Sequence, residues 1–242
     1  MRRTGSQLIT ALLERQGIDT VAGIPGGANL PLYDALRDSA IRHVLARHEQ
    51  GAGFIAQGMA RATGRAAVCL GTSGPGATNL LTAIADAKLD SVPLIAITGQ
   101  VPTAFIGTDA FQEVDTYGLT LPITKHNYFV RDAAELLDVI PQAFAIAESG
   151  RPGPVAIDVP KDVQVQAVEF DAWPAPWTPA PPEACEPDAI KPLVDMIHRA
   201  ERPVLYIGGG VAAAGRPAVE ALAALAHRNG IPVALTLAAL GL

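Results

Sequence analysis

Aromatic side chains are scarce. They make up 5% of the 242 residues, although 49% of the residues are hydrophobic. Ala, Val, Leu and Ile carry the apolar content instead, which suits close packing of helices on a sheet buried on both faces. Cysteine is rarer still. Cys69 and Cys185 are the two present, far apart in sequence, and they exclude a disulfide scaffold. Cys69 lies in an apolar run and is expected to be a buried thiol. Basic runs are absent, and the net charge of −6 with a pI near 5.3 excludes a general nucleic-acid surface. No apolar stretch follows Met1-Arg2-Arg3-Thr4-Gly5, so no signal peptide is expected. Ala66 to Ala85 is uncharged and long enough to raise the question of a membrane span. Gly71, Ser73, Gly74, Pro75 and Gly76 break it, which favours strand, loop and helix. A soluble, cytoplasmic chain without membrane or nucleic-acid partners is expected. No spacing of His, Cys and carboxylates resembles a metal site.

What is present is alternation of strand and helix patterns. Leu8, Ile9, Leu12 and Leu13 give Gln7 to Gln16 one apolar face, and Gly17 stops it. Strand patterns follow at Thr20 to Ile24, Arg42 to Ala46, Ala66 to Leu70, Pro93 to Thr98 and Val155 to Val159. Helix patterns lie between them at Pro31 to Arg37, Glu49 to Thr63, Ala77 to Lys88 and Ala133 to Ala147. This alternation predicts an α/β fold with a mostly parallel sheet and right-handed crossovers. Gly99 to Tyr128 has no clean period, and long irregular segments of this kind are usually functional or mobile. The expected division is a first domain over 1–165, a Pro- and Ala-rich linker over 166–187, and a second, incomplete α/β unit over 188–242.

Three motifs carry candidate chemistry. Gly71-Thr72-Ser73-Gly74-Pro75-Gly76-Ala77-Thr78-Asn79 joins a strand to a helix, so its amides can meet an anion or a polar ring edge. It is neither a P-loop nor a dinucleotide fingerprint, and a tight turn with close packing is the plainer reading. His48-Glu49-Gln50 falls where a strand ends and a helix begins, the edge at which open α/β sheets bind ligands. Glu49 there is equally readable as a helix-start carboxylate favoured by the macrodipole. In the irregular segment, Gln112 can donate to a developing oxyanion, and Lys125 or His126 can offset a substrate carboxylate. Solvated loop polarity explains them as well. Gly208-Gly209-Gly210 after a strand fits close approach of a phosphate or a simple turn.

Taken together, these segments resemble the thiamine diphosphate-dependent enzymes, and among them the large catalytic subunits of the acetolactate (acetohydroxyacid) synthase family. The resemblance is carried by Gly23-Ile24-Pro25-Gly26-Gly27-Ala28, Arg47-His48-Glu49-Gln50-Gly51-Ala52, the Gly71 to Asn79 motif, Ile97-Thr98-Gly99-Gln100-Val101-Pro102, Gly107-Thr108-Asp109-Ala110-Phe111-Gln112-Glu113, Thr124-Lys125-His126-Asn127-Tyr128, Ser149-Gly150-Arg151-Pro152-Gly153-Pro154 and Asp158-Val159-Pro160-Lys161-Asp162. Ile24 departs from the pattern, because Tyr is common before that Pro-Gly-Gly.

The resemblance implies a pyrimidine-binding domain followed by the start of a Rossmann-like middle domain, with a diphosphate- and Mg2+-binding domain beyond these residues. It assigns Glu49 to the carboxylate that hydrogen-bonds the pyrimidine ring, and it places Pro25, Gly26, Pro75 and Asn79 around that ring. Phe111 and Gln112 fall near the reacting group, and Lys161 falls at the mouth of the substrate channel. Arg151 and Gly208 to Gly210 fall at contacts to FAD. The implied activity joins two pyruvates, or pyruvate and 2-ketobutyrate, with release of CO2 in branched-chain amino acid biosynthesis. The implied assembly is a homodimer or tetramer, with a small regulatory subunit as a further partner. Another thiamine diphosphate-dependent decarboxylase or carboligase, or a non-catalytic remnant, is the alternative. The 242 residues by themselves are expected neither to bind the cofactor tightly nor to turn over.

Overall fold

Ten strands, ten α-helices and four single-turn 3-10 helices make up the secondary structure of the computed structural model, which describes residues 1–180 and 185–242. They separate into two compact units, Met1–Pro179 and Ala180–Leu242. In the first unit, β1 (Arg2–Thr4) leads into α1 (Gly5–Arg15), and β2 (Thr20–Gly23) into α2 (Leu30–Arg37). Next come β3 (Arg42–Leu45), α3 (Glu49–Thr63), β4 (Ala67–Gly71), α4 (Pro75–Asp90) and β5 (Leu94–Gln100). A long connection holding the short α5 (Thr116–Thr120) reaches β6 (His126–Phe129). Then α6 (Leu136–Glu148), β7 (Val155–Pro160), α7 (Lys161–Val165) and β8 (Ala167–Glu169) complete the unit.

Six strands form one parallel sheet in the order β3-β2-β4-β5-β7-β6. Alternation along each strand assigns residues to faces. Val68, Leu70, Ile95 and Ile97 pack in the cluster of Leu8, Leu12, Leu36, Ile140 and Phe144, which covers one face with α1, α2 and α6. Ala67, Cys69, Leu94 and Ala96 pack with Ala56, Ala60, Leu80 and Ile84 of α3 and α4 on the other. The Ala- and Gly-rich second face allows a close helix crossing: a Cβ on Gly53 would stand 2.5 Å from Ala83 Cβ. Leu80 and Phe144 are almost fully buried, and truncating such a side chain to Ala costs roughly 2–5 kcal/mol.

Local chemistry explains the boundaries. Thr4 and Gln7 cap α1 reciprocally, with Gln7 N donating to Thr4 Oγ1 and Thr4 N donating to Gln7 Oε1. Gly64 ends α3 in the left-handed conformation. Pro75 sits at the first position of α4, where its missing N–H costs nothing, so this helix starts earlier than its apolar pattern suggests. β1 and β8 form an antiparallel pair outside the main sheet.

The expected linker differs from the structure in its first part. Residues up to Pro179 belong to the first unit: Arg15 Nη2 donates to Pro174 O, Trp177 N to Gln16 Oε1, and Trp177 Nε1 to Glu148 Oε2. Indole rings bury apolar area and still need a partner for N–H, and Glu148 supplies it. Residues 181–184 of that expected linker lie outside the described residues.

The second unit holds α8 (Pro187–Arg199), β9 (Leu205–Ile207), α9 (Gly209–Ala213), α10 (Arg216–Asn229) and β10 (Val233–Leu235), with β9 and β10 paired in parallel. The apolar stripe of α8, Ile190, Leu193, Val194 and Met196, stands exposed. Among the described residues no helix is long and apolar enough to cross a membrane.

Candidate active site

Chain direction changes side within the sheet between β2 and β4. β2 is followed by β3 on one flank, and the chain then returns to place β4 on the other. The loops that leave β2 and β4 therefore part at the carboxyl edge, which opens a crevice there. Pro25 and Gly26 lie in the first loop, Thr72 to Gly74 form the second between Gly71 at the end of β4 and Pro75 at the start of α4, and Glu49 begins α3 after the three residues that follow β3.

Glu49 sits in the first turn of α3, where the unpaired N–H groups favour a negative charge. The cap itself is His48, whose Nδ1 accepts from Gln50 N at 3.1 Å. That leaves the Glu49 carboxylate free of capping duty. Asn79, one turn into α4, donates Nδ2 to Glu49 Oε2 at 2.9 Å. Glu49 Oε1 has no hydrogen-bond partner among the described residues.

Glycines keep the space around that oxygen open. A Cβ on Gly76 would stand 3.5 Å from Glu49 Oε1 and 2.6 Å from Thr72 Cγ2. A Cβ on Gly26 would meet Thr72 at 2.6 Å. Thr72 Oγ1 accepts from Ala28 N at 3.1 Å, which joins the β2 and β4 loops. Gly74 has φ of +56°, and a Cβ there would lie 2.7–2.9 Å from Gln112 O, Cα and Cβ. The third loop, after β5, thus rests its backbone on the β4 loop.

Tyr33 was not singled out in the sequence. Its hydroxyl is buried without a partner, and its ring meets His43 edge-on at 4.9 Å. Burial raises its pKa first, and the charges of Cys69 and Glu49 raise it further. The signal available in sequence was its place on α2, directly after the Pro25-Gly26-Gly27 loop.

Gln112, with φ of +60°, and the 87%-exposed Phe111 lie in the β5 loop at the same carboxyl edge. Lys161 begins α7 at the end of β7, also at that edge. Arg151 does not join them. It precedes β7, at the opposite edge, where Nε donates to Ser91 Oγ at 2.7 Å and Nη2 to Leu89 O at 3.0 Å.

Lys125 and His126 correct an expectation. Lys125 precedes β6 and His126 opens it, at the amino edge, and Lys125 Nζ is taken by the carbonyls of Ile146 and Ser149. A residue just before or at the start of a parallel strand faces away from the carboxyl-edge crevice, so these two do not meet a substrate held beside Glu49. Gly208 caps α9, and Gly209 and Gly210 form its first turn, in the second unit.

A parallel six-stranded sheet with a helix-start carboxylate in a glycine-lined crevice at its switch point defines a nucleotide- or cofactor-type α/β site, and comparison with known proteins specifies it. Residues 3–119 match the family described as thiamine pyrophosphate enzyme, N-terminal TPP binding domain, and residues 190–242 match its central domain. The chain belongs to the thiamine pyrophosphate enzymes. It is 60% identical over 242 residues to the acetolactate synthase isozyme 1 large subunit of Escherichia coli (strain K12), covering 100% of this chain and 42% of that protein. It is 52% identical over 244 residues to the acetolactate synthase large subunit of Corynebacterium glutamicum, covering 99% of this chain and 38% of that protein. It is 49% identical over 238 residues to the E. coli isozyme 2 large subunit, covering 98% and 42% respectively. The chain thus spans about two fifths of the length of these curated relatives.

Proposed function

We propose that this chain forms the cofactor-activating part of an acetolactate synthase. The reaction is condensation of two pyruvates, or of pyruvate and 2-ketobutyrate, to a 2-acetohydroxyacid with release of CO2, in branched-chain amino acid biosynthesis. The observation that carries this reading is the Glu49 carboxylate, with Oε2 held by Asn79 and Oε1 open beside Gly76.

The crevice fits an aminopyrimidine. An aromatic ring edge needs a hydrogen-bonding carboxyl and close backbone approach, and Glu49 with Gly26, Gly74 and Gly76 supplies both. Thiamine diphosphate, when bound, supplies an acidic carbon that becomes the nucleophile toward the 2-ketoacid. The residues do the rest. Glu49 holds or moves a proton at Oε1, Asn79 fixes the rotamer of that carboxyl, and Pro25, Gly26 and Pro75 shape the walls. Gln112 serves as donor to a developing oxyanion, and Lys161 offers a cation to the substrate carboxylate.

Mg2+ and FAD belong to the same proposal at a coarser level. Among the described residues no group of three or more His, Cys, Asp or Glu side chains is placed to hold a metal ion, so no step is derived through Mg2+. For FAD, Arg151 is already bonded to Leu89 and Ser91, and Gly208 to Gly210 offer backbone N–H groups alone; no step is derived through it either. We place the pyrimidine-binding domain at 1–165 and a middle-domain portion at 188–242, joined by 166–187, of which the part up to Pro179 packs with the first unit. A cytoplasmic homodimer or tetramer with a small regulatory subunit completes the proposal, in keeping with the relatives named as large subunits.

The test is a product assay on protein expressed from its complete reading frame, with pyruvate, thiamine diphosphate and Mg2+. Acetolactate is the expected product. Acetaldehyde in its place, or no product, overturns the synthase reading.

A further inference from the structure

Asp158 has no part in the reading above, yet it is a carboxyl group 2% exposed in the middle of an apolar strand. Such a group needs partners to be tolerated. Oδ1 accepts from Thr98 Oγ1 at 2.6 Å, and Oδ2 accepts from Gln100 Nε2 at 3.0 Å. Thr98 and Gln100 are themselves 2% and 3% exposed, on the neighbouring β5.

Gln100 is the link to the site. Its Nε2 also donates to Val114 O at 2.9 Å, and its Oε1 accepts from Val101 N at 2.9 Å. One side-chain amide therefore holds both ends of the segment Val101 to Val114. Within the segment, the Glu113 carboxylate accepts the N–H groups of Gly107, Thr108 and Ala110. Gln112, at φ of +60°, lies against Gly74 so closely that any Cβ there would overlap it. Gly74 caps α4, the helix that carries Gly76 and Asn79 to Glu49.

The geometry points to Asp158 as a positioning residue for the Glu49 site. It fixes the orientation of the Gln100 amide, and that amide closes the Val101–Val114 segment and seats Gln112 on the β4 loop. A side-chain amide has two orientations, and they are not equivalent here. With Nε2 toward Asp158 and Val114 O, and Oε1 toward Val101 N, all groups are satisfied; after a flip, Oε1 would face two acceptors and Nε2 would face a donor. An acceptor at Asp158 Oδ2 selects the first orientation. This inference rests on the proposed roles of Glu49 and Gln112.

The experiment is amide hydrogen exchange on this chain, compared for the unsubstituted protein, Asp158→Ala, Asp158→Asn and Gln100→Leu. Asp158→Ala and Gln100→Leu are expected to lower protection at Val101, Glu113 and Thr116 by roughly tenfold or more, with Ile95 to Ile97 unchanged, because a local opening is easier than a global one. The double substitution is expected to be no worse than either alone, as for two members of one network. Asp158→Asn keeps an oxygen for Gln100 and an amide for Thr98 Oγ1, so it retains protection. Protein from the complete reading frame gives a second readout. Gln100→Leu lowers kcat by roughly tenfold with KM within about twofold, while Asp158→Asn stays near the parent value.

Unchanged loop protection in Gln100→Leu overturns the inference, and so do additive effects or loosening by Asp158→Asn equal to that by Asp158→Ala. If Asp158→Ala does not fold, Gln100→Leu and Asp158→Asn decide. The exchange pattern needs no cofactor, so a failure of the proposed function would leave it intact and would show instead at Glu49.

Discussion

Asn79 Nδ2 donates to Glu49 Oε2 at 2.9 Å between α4 and α3, the helices that follow the two strands flanking β2. This bond decides which carboxyl oxygen faces the crevice. Asn79→Ala frees the carboxyl to rotate, and activity in the protein from the complete reading frame is expected to fall by about 10- to 150-fold, in line with roughly 1.5–3 kcal/mol for a hydrogen bond to a charged group. Thermal unfolding should move little, since Asn79 is only partly buried. A parent-like rate would remove Asn79 from the site.

Gly74 combines φ of +56° with backbone contact to Gln112. Gly74→Ala meets both obstacles. A loss of about 1–3 kcal/mol in unfolding free energy is expected from strained backbone alone, and the Gln112 loop must also shift. Urea unfolding measures the first, and exchange at Glu113 measures the second. Gly27→Ala is the contrast: a Cβ there meets nothing within 4 Å, so its effect should be small.

Much of the architecture was legible because periodicity and capping agree. Glu49–Thr63 was expected as a helix and is one, since its apolar face, His48 cap and Gly64 stop all coincide. β6 was missed. His126–Phe129 is a four-residue edge strand whose Asn127 is buried by bonds to Tyr117 O and Thr120 Oγ1, a polar pattern that does not read as strand. β1 and β8 are three residues each and find each other across most of the first unit, so no local pattern announces them.

The site was legible in part. Glu49, Asn79, Pro75 and Gly26 converge because each follows a parallel strand directly or opens the next helix. Arg151 and Lys125 precede strands, and that position alone places them at the opposite edge. Asp158, Thr98 and Gln100 left a trace as polar residues within apolar strands, but only their pairing across β5 and β7 shows their connection.

Asp158 makes a pH prediction. Burial raises its pKa from 3.8 to about 7, Thr98 and Gln100 oppose the shift, and the charge of Asp115 adds to it. The folded state therefore holds a proton that the unfolded state has lost between pH 3.8 and about 7. Stability from this group falls as pH rises through that window. Asp158→Asn removes the titration, so the stability difference between variant and parent should shift toward the variant from pH 4 to pH 7. Urea midpoints at several pH values check it; a difference independent of pH contradicts it.

The cysteines differ in access. Cys69 is fully buried in β4, and burial pushes its thiol up to about 12, whereas Cys185 is exposed. A thiol reagent at pH 8 should label Cys185 readily and Cys69 only after unfolding, because the thiolate is the reactive form. Fast labelling of both would contradict the packing of Cys69 beneath α3 and α4.

The central claim is that Glu49 activates the cofactor. Deuterium exchange at the thiazolium C2 of bound thiamine diphosphate measures that step without any substrate. Glu49→Gln keeps the shape of the side chain at the start of α3, so the fold should persist. The account predicts exchange slower by roughly a hundredfold or more than in the parent protein, the range lost with a positioned acid–base group. Exchange at the parent rate in a folded, cofactor-bound Glu49→Gln protein would contradict it.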